Sequence, residues 1–102
     1  MRIQYRARAR DDIAEIYEYR SSKHSPRVAG HVELAIRASI EMLSARPEFG
    51  TKTDHRDAVR RWPMNEYPYT IFYAIDWHLD AITIVRVVAS GRVRSLKRVP
   101  RL

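Results

Sequence analysis

The segment YTIFYAIDWHLDAITIVRVV, residues 69–88, alternates its side chains in a period of two. The odd-numbered residues from Tyr69 to Ile75 fall on one side, and the even-numbered residues from Thr70 to Asp76 fall on the other. A period of two is the repeat of a β-strand, and the WHLD sequence at 77–80 is typical of a short loop. The segment therefore predicts two antiparallel strands joined by a hairpin.

Two helices are predicted upstream of this hairpin. The first covers Asp11 to about Lys23, and its two leading aspartates suit the positive end of the helix dipole. The second starts with Ser25 as N-cap and Pro26 in the first helical position, and it runs to about Ala45. The predicted packed faces are Ile13, Ile16, Tyr17 and Arg20 in the first helix, and Val28, Val32, Ala35, Ile36, Ser39, Ile40 and Leu43 in the second.

Two more strands complete the prediction. One covers Arg2–Arg6 before the helices, and the other covers Ala58–Trp62 after a polar loop at Thr51–Asp57 and before a turn that Pro63 marks. Helices that are consecutive in the chain pair as a hairpin, and late strands with short loops pair antiparallel. We therefore expect one α+β domain over residues 1–102: a strand, a two-helix hairpin, then antiparallel strands forming one sheet packed against the helices.

The charge of the chain favours an acidic partner. The 102 residues carry a formal net charge of +7, and no Asp or Glu follows Asp80. Residues 1–10 hold four arginines without an acid. Nucleic acid, an anionic surface or an acidic protein are the partners that such clustering favours, and a solvated basic surface is the alternative. The sequence has no cysteine and no apolar run of membrane-spanning length, so we expect a cytoplasmic protein that does not enter a membrane.

Several kinds of site are disfavoured by the sequence. The four histidines have no spacing typical of a metal site, and no glycine-rich loop precedes a helix, so we expect neither a metal nor another cofactor. His55 and His78 fall in predicted loops, where surface histidines are common. Tyr69 and Tyr73 share a strand face that could stack bases, but core packing under the helices is the favoured interpretation.

Arginines on and after the late strands are the candidate binding residues. They are Arg60, Arg61, Arg86, Arg92, Arg94 and Arg98. Arg60 and Arg61 point to opposite faces of a strand, so at most one of them joins a given patch. Arg86 lies between valines and either pairs with an acid inside the fold or lines a groove.

The order of several short motifs resembles the ParE-like toxins of type II toxin–antitoxin systems, in the RelE/ParE superfamily. Ala9, Asp12-Ile13 and Ile16 fit the first helix of that family, and Ser25-Pro26 with Arg46-Pro47-Glu48-Phe49-Gly50 fits the bounds of the second. Tyr69-Thr70-Ile71-Phe72-Tyr73 and Ile82-Thr83-Ile84-Val85-Arg86-Val87 fit the last two strands. The resemblance implies a compact α+β toxin whose partner is a cognate antitoxin, docked between the helix hairpin and the sheet.

The activity that the resemblance implies depends on the branch. RelE-like members cleave messenger RNA on the ribosome, whereas ParE-like members inhibit DNA gyrase. Arg92 matches a basic residue of the ribonuclease branch, but Thr70 stands where that branch has a further arginine, and Arg98 stands near its tyrosine. Arginine is a poor proton shuttle, so no acid is assigned. We therefore expect a gyrase inhibitor rather than an enzyme; a ribosome-dependent endoribonuclease and a non-toxic nucleic-acid-binding module are the alternatives.

Overall fold

The computed structural model describes residues 1–55 and 57–93 and has two helices and one mixed sheet. The helices are α1 (Ala7–Lys23) and α2 (Pro26–Ala45). The strands are β1 (Arg2–Tyr5), β2 (Thr51–Lys52), β3 (Val59–Pro63), β4 (Tyr69–Asp76) and β5 (Ala81–Ala89). Short 3-10 helices lie at Pro47–Phe49 and Ser90–Arg92. The predicted α+β class is confirmed.

The sheet has the strand order β1-β5-β4-β3-β2. The predicted hairpin is present, because β4 and β5 pair antiparallel on either side of the turn at residues 77–80. The strand pairs β3–β4 and β2–β3 are also antiparallel, whereas β1 pairs with β5 in parallel. The helices supply the crossover that a parallel pair requires.

Both helices pack on one face of this sheet and bury most of the apolar core there. Ile36 and Ile40 of α2 are fully buried together with Ile71, Tyr73 and other residues of the central strands. The core interpretation of Tyr69 and Tyr73 is confirmed, since they are 5% and 0% exposed. A second, smaller cluster lies on the opposite face of the sheet: Val59, Phe72, Val85 and Val88.

The first helix begins earlier than its acidic residues predict. It starts at Ala7, with Arg6 as an N-cap whose side chain caps nothing. The Arg6 amide donates to the carbonyl of Ile84, so the chain passes directly from the sheet into the helix. Alanine and arginine are strong helix formers, and the ARAR sequence at 7–10 supplies the first turn. The prediction that Asp11 and Asp12 stand at the helix N-terminus is therefore wrong.

The second helix follows its prediction closely. The Ser25 hydroxyl accepts a 3.1 Å hydrogen bond from the amide of Val28, and Pro26 is the first helical residue. Four residues of the predicted stripe are fully buried, namely Val32, Ile36, Ile40 and Leu43.

Two details of the strands differ from the prediction. The segment Thr51–Asp57 is not only a loop, because its first two residues pair with β3 as the short edge strand β2. Pro63 is the last residue of β3 rather than part of a turn. A two-residue strand has no apolar periodicity, and proline is tolerated at a strand end, so neither feature had a signal in the pattern.

A β-bulge in β5 changes the direction of its side chains. Phe72 pairs with Arg86 and Tyr73 pairs with Ile84, so Val85 is an extra residue on β5. Val85 and Val88 lie in the outer cluster, whereas Arg86 and Val87 between them both contact Asp12 of α1. Bulges re-aim side chains in this way. This bulge brings a charged side chain to the helix face.

The Tyr73 hydroxyl connects the sheet to the end of α2. It donates to the carbonyl of Pro47 at 2.6 Å and accepts from the amide of Gly50 at 2.8 Å. Burial raises the pKa of this hydroxyl above its ordinary value of 10, so it remains a donor near neutral pH. A Cβ atom at Gly50 would lie only 2.7–2.8 Å from two ring carbons of Tyr73 and closer still to the hydroxyl.

We predict that Gly50→Ala lowers the free energy of unfolding by about 1–3 kcal/mol, because the buried Tyr73 ring is packed on all sides and cannot move away from the new Cβ atom. Gly30→Ala is the matched control, since a Cβ atom there meets no atom within 4 Å. Inside α2 this change should raise the free energy of unfolding by about 0.5–1 kcal/mol. Urea unfolding of both variants measures the difference, and effects of the same sign would contradict the prediction.

Candidate functional site

A cleft of about 400 Å³ opens between α1 and the ends of β4 and β5 where the chain continues to Arg92. It combines an apolar wall with charged and aromatic side chains. The α1 residues that line it are Asp12, Glu15, Ile16, Tyr19 and Arg20; those from the rest of the chain are Pro68, Tyr69, Val87, Val88, Ala89 and Arg92. We refer to it as the α1–β5 cleft.

Asp12, which lines the α1–β5 cleft, belongs to a buried ion pair. Asp12 accepts hydrogen bonds from Nε and Nη2 of Arg86 at 2.7 and 3.2 Å, and from the amide of Val87 at 2.9 Å. Asp12 and Arg86 are only 4% and 3% exposed. The guanidinium of Arg8 adds a looser contact at 3.7 Å. The carboxylate is thus fully engaged, and the pair fixes α1 against the bulge of β5.

Arg20 is held in place by two aromatic rings. Its Nε donates to the Tyr69 hydroxyl at 3.0 Å. The guanidinium carbon lies 5.5 Å from the centre of the Tyr69 ring and 6.0 Å from that of Tyr67, within the range of cation–π contacts. A half-buried guanidinium therefore stands at the cleft in one orientation.

The rim of the α1–β5 cleft carries charges of both signs. Arg92 is exposed in the 3-10 helix that follows β5. Glu15 and Tyr19 are exposed on α1, with Tyr19 55% accessible. Because Arg86 neutralises Asp12, the remaining charged side chains that line the cleft within residues 1–55 and 57–93 are Arg20 and Arg92 against Glu15. The site suits a single anionic group beside an apolar one better than a long polyanion.

Four of the predicted arginines lie among the described residues, and of these four only Arg92 lines the cleft. Arg92 lines the rim, and Arg86 holds Asp12 beneath it. Arg60 is on the helix side of β3 and donates to the carbonyls of Gly50 at 2.9 Å and Glu48 at 3.3 Å. Arg61 is half-buried on the opposite face, and among the described residues its Nε has no hydrogen-bond partner. Arg60 and Arg61 therefore lie on opposite faces of β3, as the sequence predicts.

The role predicted for Arg86 is corrected by its burial. Of the two interpretations, the structure has the internal one: the guanidinium pairs with Asp12 and does not face a groove. Arg86 is thus unsuited to direct contact with a partner, because its side chain is covered on the helix side of the sheet. Arg94 and Arg98 lie outside the described residues.

Sequence reasoning missed Arg20 as a site residue. The helical spacing placed it on the packed face of the first helix, which is where it lies, although Tyr17 of the same predicted face is 36% exposed. An arginine in an otherwise apolar stripe is itself a signal, because a charged group there needs an aromatic or acidic neighbour. The neighbours, Tyr67 and Tyr69, are more than 45 residues away in the chain.

Neither of the two loop histidines lies close enough to Arg92 to donate a proton there. His78 lies in the turn before β5 and Arg92 follows its end, so the nine residues of β5 separate them by roughly 26 Å. His55 lies in the loop that precedes β3, at the same end of the sheet as His78. Within residues 1–55 and 57–93, no three potential ligands among His, Cys, Asp and Glu gather as a metal site, and no helix is long and apolar enough to cross a bilayer.

Comparison with known proteins gives a consistent result. The family described as "ParE toxin of type II toxin-antitoxin system, parDE" matches residues 3–94. No match is found among curated proteins. Solved structures with the same fold include a chain of the chromosomal ParDE system from P. aeruginosa, with TM-score 0.74, 18% identity, 87% of this chain covered and 95% of that one.

A second structural relative comes from another toxin–antitoxin complex. It is a chain of the RelBE2 toxin–antitoxin complex from Mycobacterium tuberculosis, with TM-score 0.56 and 21% identity over 86% of this chain and 88% of that one. At these identities the two structures establish the shared fold.

Proposed function

Because the chain belongs to the ParE toxin family of type II toxin–antitoxin systems, we propose that it inhibits DNA gyrase in the cytoplasm until a cognate antitoxin neutralises it. The observation that carries this proposal is the family match over residues 3–94, which includes every element of the α1–β5 cleft. The names of both structural relatives, a ParDE system and a RelBE2 complex, support an antitoxin as partner.

The α1–β5 cleft is the proposed place of antitoxin docking. Its apolar wall suits the apolar side of an amphipathic segment that folds on binding. The net charge of +7 on this protein attracts a segment that is also acidic. Such long-range attraction raises the association rate more than the final affinity. The cleft lies between α1 and the sheet, and α1 is one helix of the hairpin beside which the antitoxin was predicted to dock.

Gyrase is the proposed target because neither Thr70 nor a loop histidine gives Arg92 the neighbour that the ribonuclease chemistry needs. Thr70, at the position where the ribonuclease branch has an arginine, is 2% exposed, and its hydroxyl lies 2.9 Å from that of Ser90. The loop histidines His55 and His78 lie at the far end of the sheet. Cleavage of RNA by its 2′-hydroxyl needs a proton acceptor and a donor. Neither Thr70 nor the two loop histidines is placed to fill these roles beside Arg92.

Expression without an antitoxin should arrest bacterial growth. The expected result is a fall in colony-forming units on induction, with growth restored when the neighbouring gene is induced together with it. Immunoblotting of the soluble fraction checks that the protein is present. Normal growth in the presence of soluble, folded protein would contradict the toxin assignment for this chain.

Purified protein should inhibit supercoiling of relaxed plasmid by gyrase and leave messenger RNA intact in a translating extract. Inhibition should weaken in Arg92→Ala and persist in Arg2→Ala, because Arg2 is also an exposed arginine but pairs with Ala81 at the other end of β5. Codon-positioned cleavage of messenger RNA that disappears in Arg92→Ala would overturn the gyrase proposal in favour of the ribonuclease.

A further inference from the structure

We propose that Arg20 is a carboxylate clamp, and that the α1–β5 cleft binds a peptide segment in which an acidic side chain stands next to an apolar one. The inference rests on the proposed function only for the source of that segment, which is the antitoxin. The recognition chemistry rests on the residues of the cleft themselves.

The guanidinium of Arg20 is oriented before any partner binds. Tyr69 is 5% exposed and belongs to the core, and its hydroxyl accepts from Nε of Arg20 at 3.0 Å. The rings of Tyr67 and Tyr69 hold the guanidinium by its face. Among the described residues, the two Nη groups of Arg20 have no acceptor. A fixed planar fork with free N–H groups matches a carboxylate, and prior fixing reduces the entropy lost on binding.

An apolar surface lies beside the clamp. Ile16, Pro68, Val87 and Ala89 line the same cleft, and its volume of about 400 Å³ falls in the range of ligand pockets. An apolar side chain of the partner can be buried on this surface while its acidic neighbour meets Arg20. The exposed ring of Tyr19 offers further contact at the rim.

The distribution of charge favours a peptide over a nucleic acid. Asp11, Glu15 and Glu18 are exposed along α1 next to the cleft, and they repel a chain of phosphates. The buried Asp12 adds no free negative charge, since it is paired with Arg86. A single carboxylate bound between Arg20 and Arg92 is repelled less by these acidic residues of α1 than a polyanion that extends along the helix.

Two blocked synthetic peptides test this inference: Leu-Glu-Leu-Glu-Leu and its counterpart with glutamine in place of glutamate. The expected result is that the glutamate peptide binds about tenfold to a hundredfold more tightly, because glutamine keeps one acceptor oxygen but lacks the negative charge and the second acceptor of a bidentate pair. In a nuclear magnetic resonance titration, the Nε–H signal of Arg20 should shift with the glutamate peptide. An unshifted Arg20 signal, or equal affinity for both peptides, would overturn the proposal.

Variants extend the test. Arg20→Gln should remove the preference for glutamate, and Arg20→Lys should restore only part of it, because an ammonium lacks the planar fork. Arg27→Gln is the matched control, since Arg27 is exposed in the first turn of α2 and does not line the cleft. If Arg20→Gln fails to fold, as circular dichroism would show, the titration of the unchanged protein still decides between the outcomes.

The clamp and the proposed function fail in different ways. A preference for the glutamate peptide in a protein that neither arrests growth nor inhibits gyrase would contradict the proposed function alone. A folded Arg20→Gln toxin that arrests growth and binds its antitoxin as tightly as the unchanged protein would contradict the clamp alone.

Discussion

Replacing Asp12 by alanine is expected to lower the free energy of unfolding by about 3–5 kcal/mol. The change removes the acceptor of three hydrogen bonds, two from Arg86 and one from the amide of Val87. Arg86 is 3% exposed, so its positive charge loses a carboxylate in a place where water cannot replace it. For a domain of this size, such a loss is a large share of a total stability of about 5–15 kcal/mol.

Thermal and urea unfolding of Asp12→Ala measure this loss, and Asp11→Ala is the matched control. Asp11 is the neighbouring aspartate, exposed on the same helix, and its removal should change the free energy of unfolding by less than about 0.5 kcal/mol. Similar unfolding curves for the two variants would show that the buried pair does not hold α1 to the sheet.

Replacing both Asp12 and Arg86 by apolar residues should lower the free energy of unfolding less than Asp12→Ala does, because no charge then stays buried.

The parts of the fold that the sequence predicted depend on local signals. Strand β4 alternates strictly from Tyr69 to Asp76, and the Ser25-Pro26 pair defines where α2 begins. Each signal acts through its own neighbours in the chain: a period of two for a strand and a capping oxygen for a helix. These elements were therefore predicted within a residue or two of their observed bounds.

The bulge in β5 had no local signal. A period of two places Val85 and Val87 on one face with Arg86 on the other, which left the burial of Arg86 open. In the structure Arg86 and Val87 both meet Asp12, which lies 74 and 75 residues away in the chain. The bulge is stabilised by this distant carboxylate, so it follows from the tertiary fold rather than from the pattern of the strand.

The start of α1 was misassigned because two local rules disagree there. Acidic residues favour the first turn of a helix, which pointed to Asp11 and Asp12. The propensity of the ARAR sequence favours an earlier start, at Ala7. The earlier start prevails because Asp12 is then placed in the second turn, where it faces the sheet and Arg86 rather than the end of the helix.

The candidate site was predicted in part for the same reason. Arg92 was identified from the run of positive charge, which is a property of the sequence. Arg20 became a site residue only when the fold placed Tyr67 and Tyr69 around its guanidinium. A cleft made by a helix and two strand ends depends on contacts between distant segments, and composition carries no information about them.

Ile36→Asp should have the largest effect on folding of any change considered for this protein. Ile36 is 0% exposed in the centre of α2, and it lies in the core cluster with Ile71 and Tyr73 of β4. A buried carboxylate without a partner costs several kcal/mol in addition to the lost apolar contacts, so most molecules should be unfolded or insoluble at neutral pH. Circular dichroism melting of the soluble fraction measures the loss.

Leu34→Asp is the matched control on the same helix, because it introduces the same residue, with the same helix propensity, at an exposed position. Leu34 is 68% exposed, so its replacement introduces the same residue into α2 without placing a charge in the core. Its melting temperature should stay close to that of the unchanged protein, whereas that of Ile36→Asp should fall by 20 °C or more, on the order of 4–8 °C for each kcal/mol. Acidification from pH 7 towards pH 5 should narrow the gap, because burial raises the pKa of the new carboxyl and protonation removes its charge. Equal melting temperatures at neutral pH would show that this face of α2 is not the core of the domain.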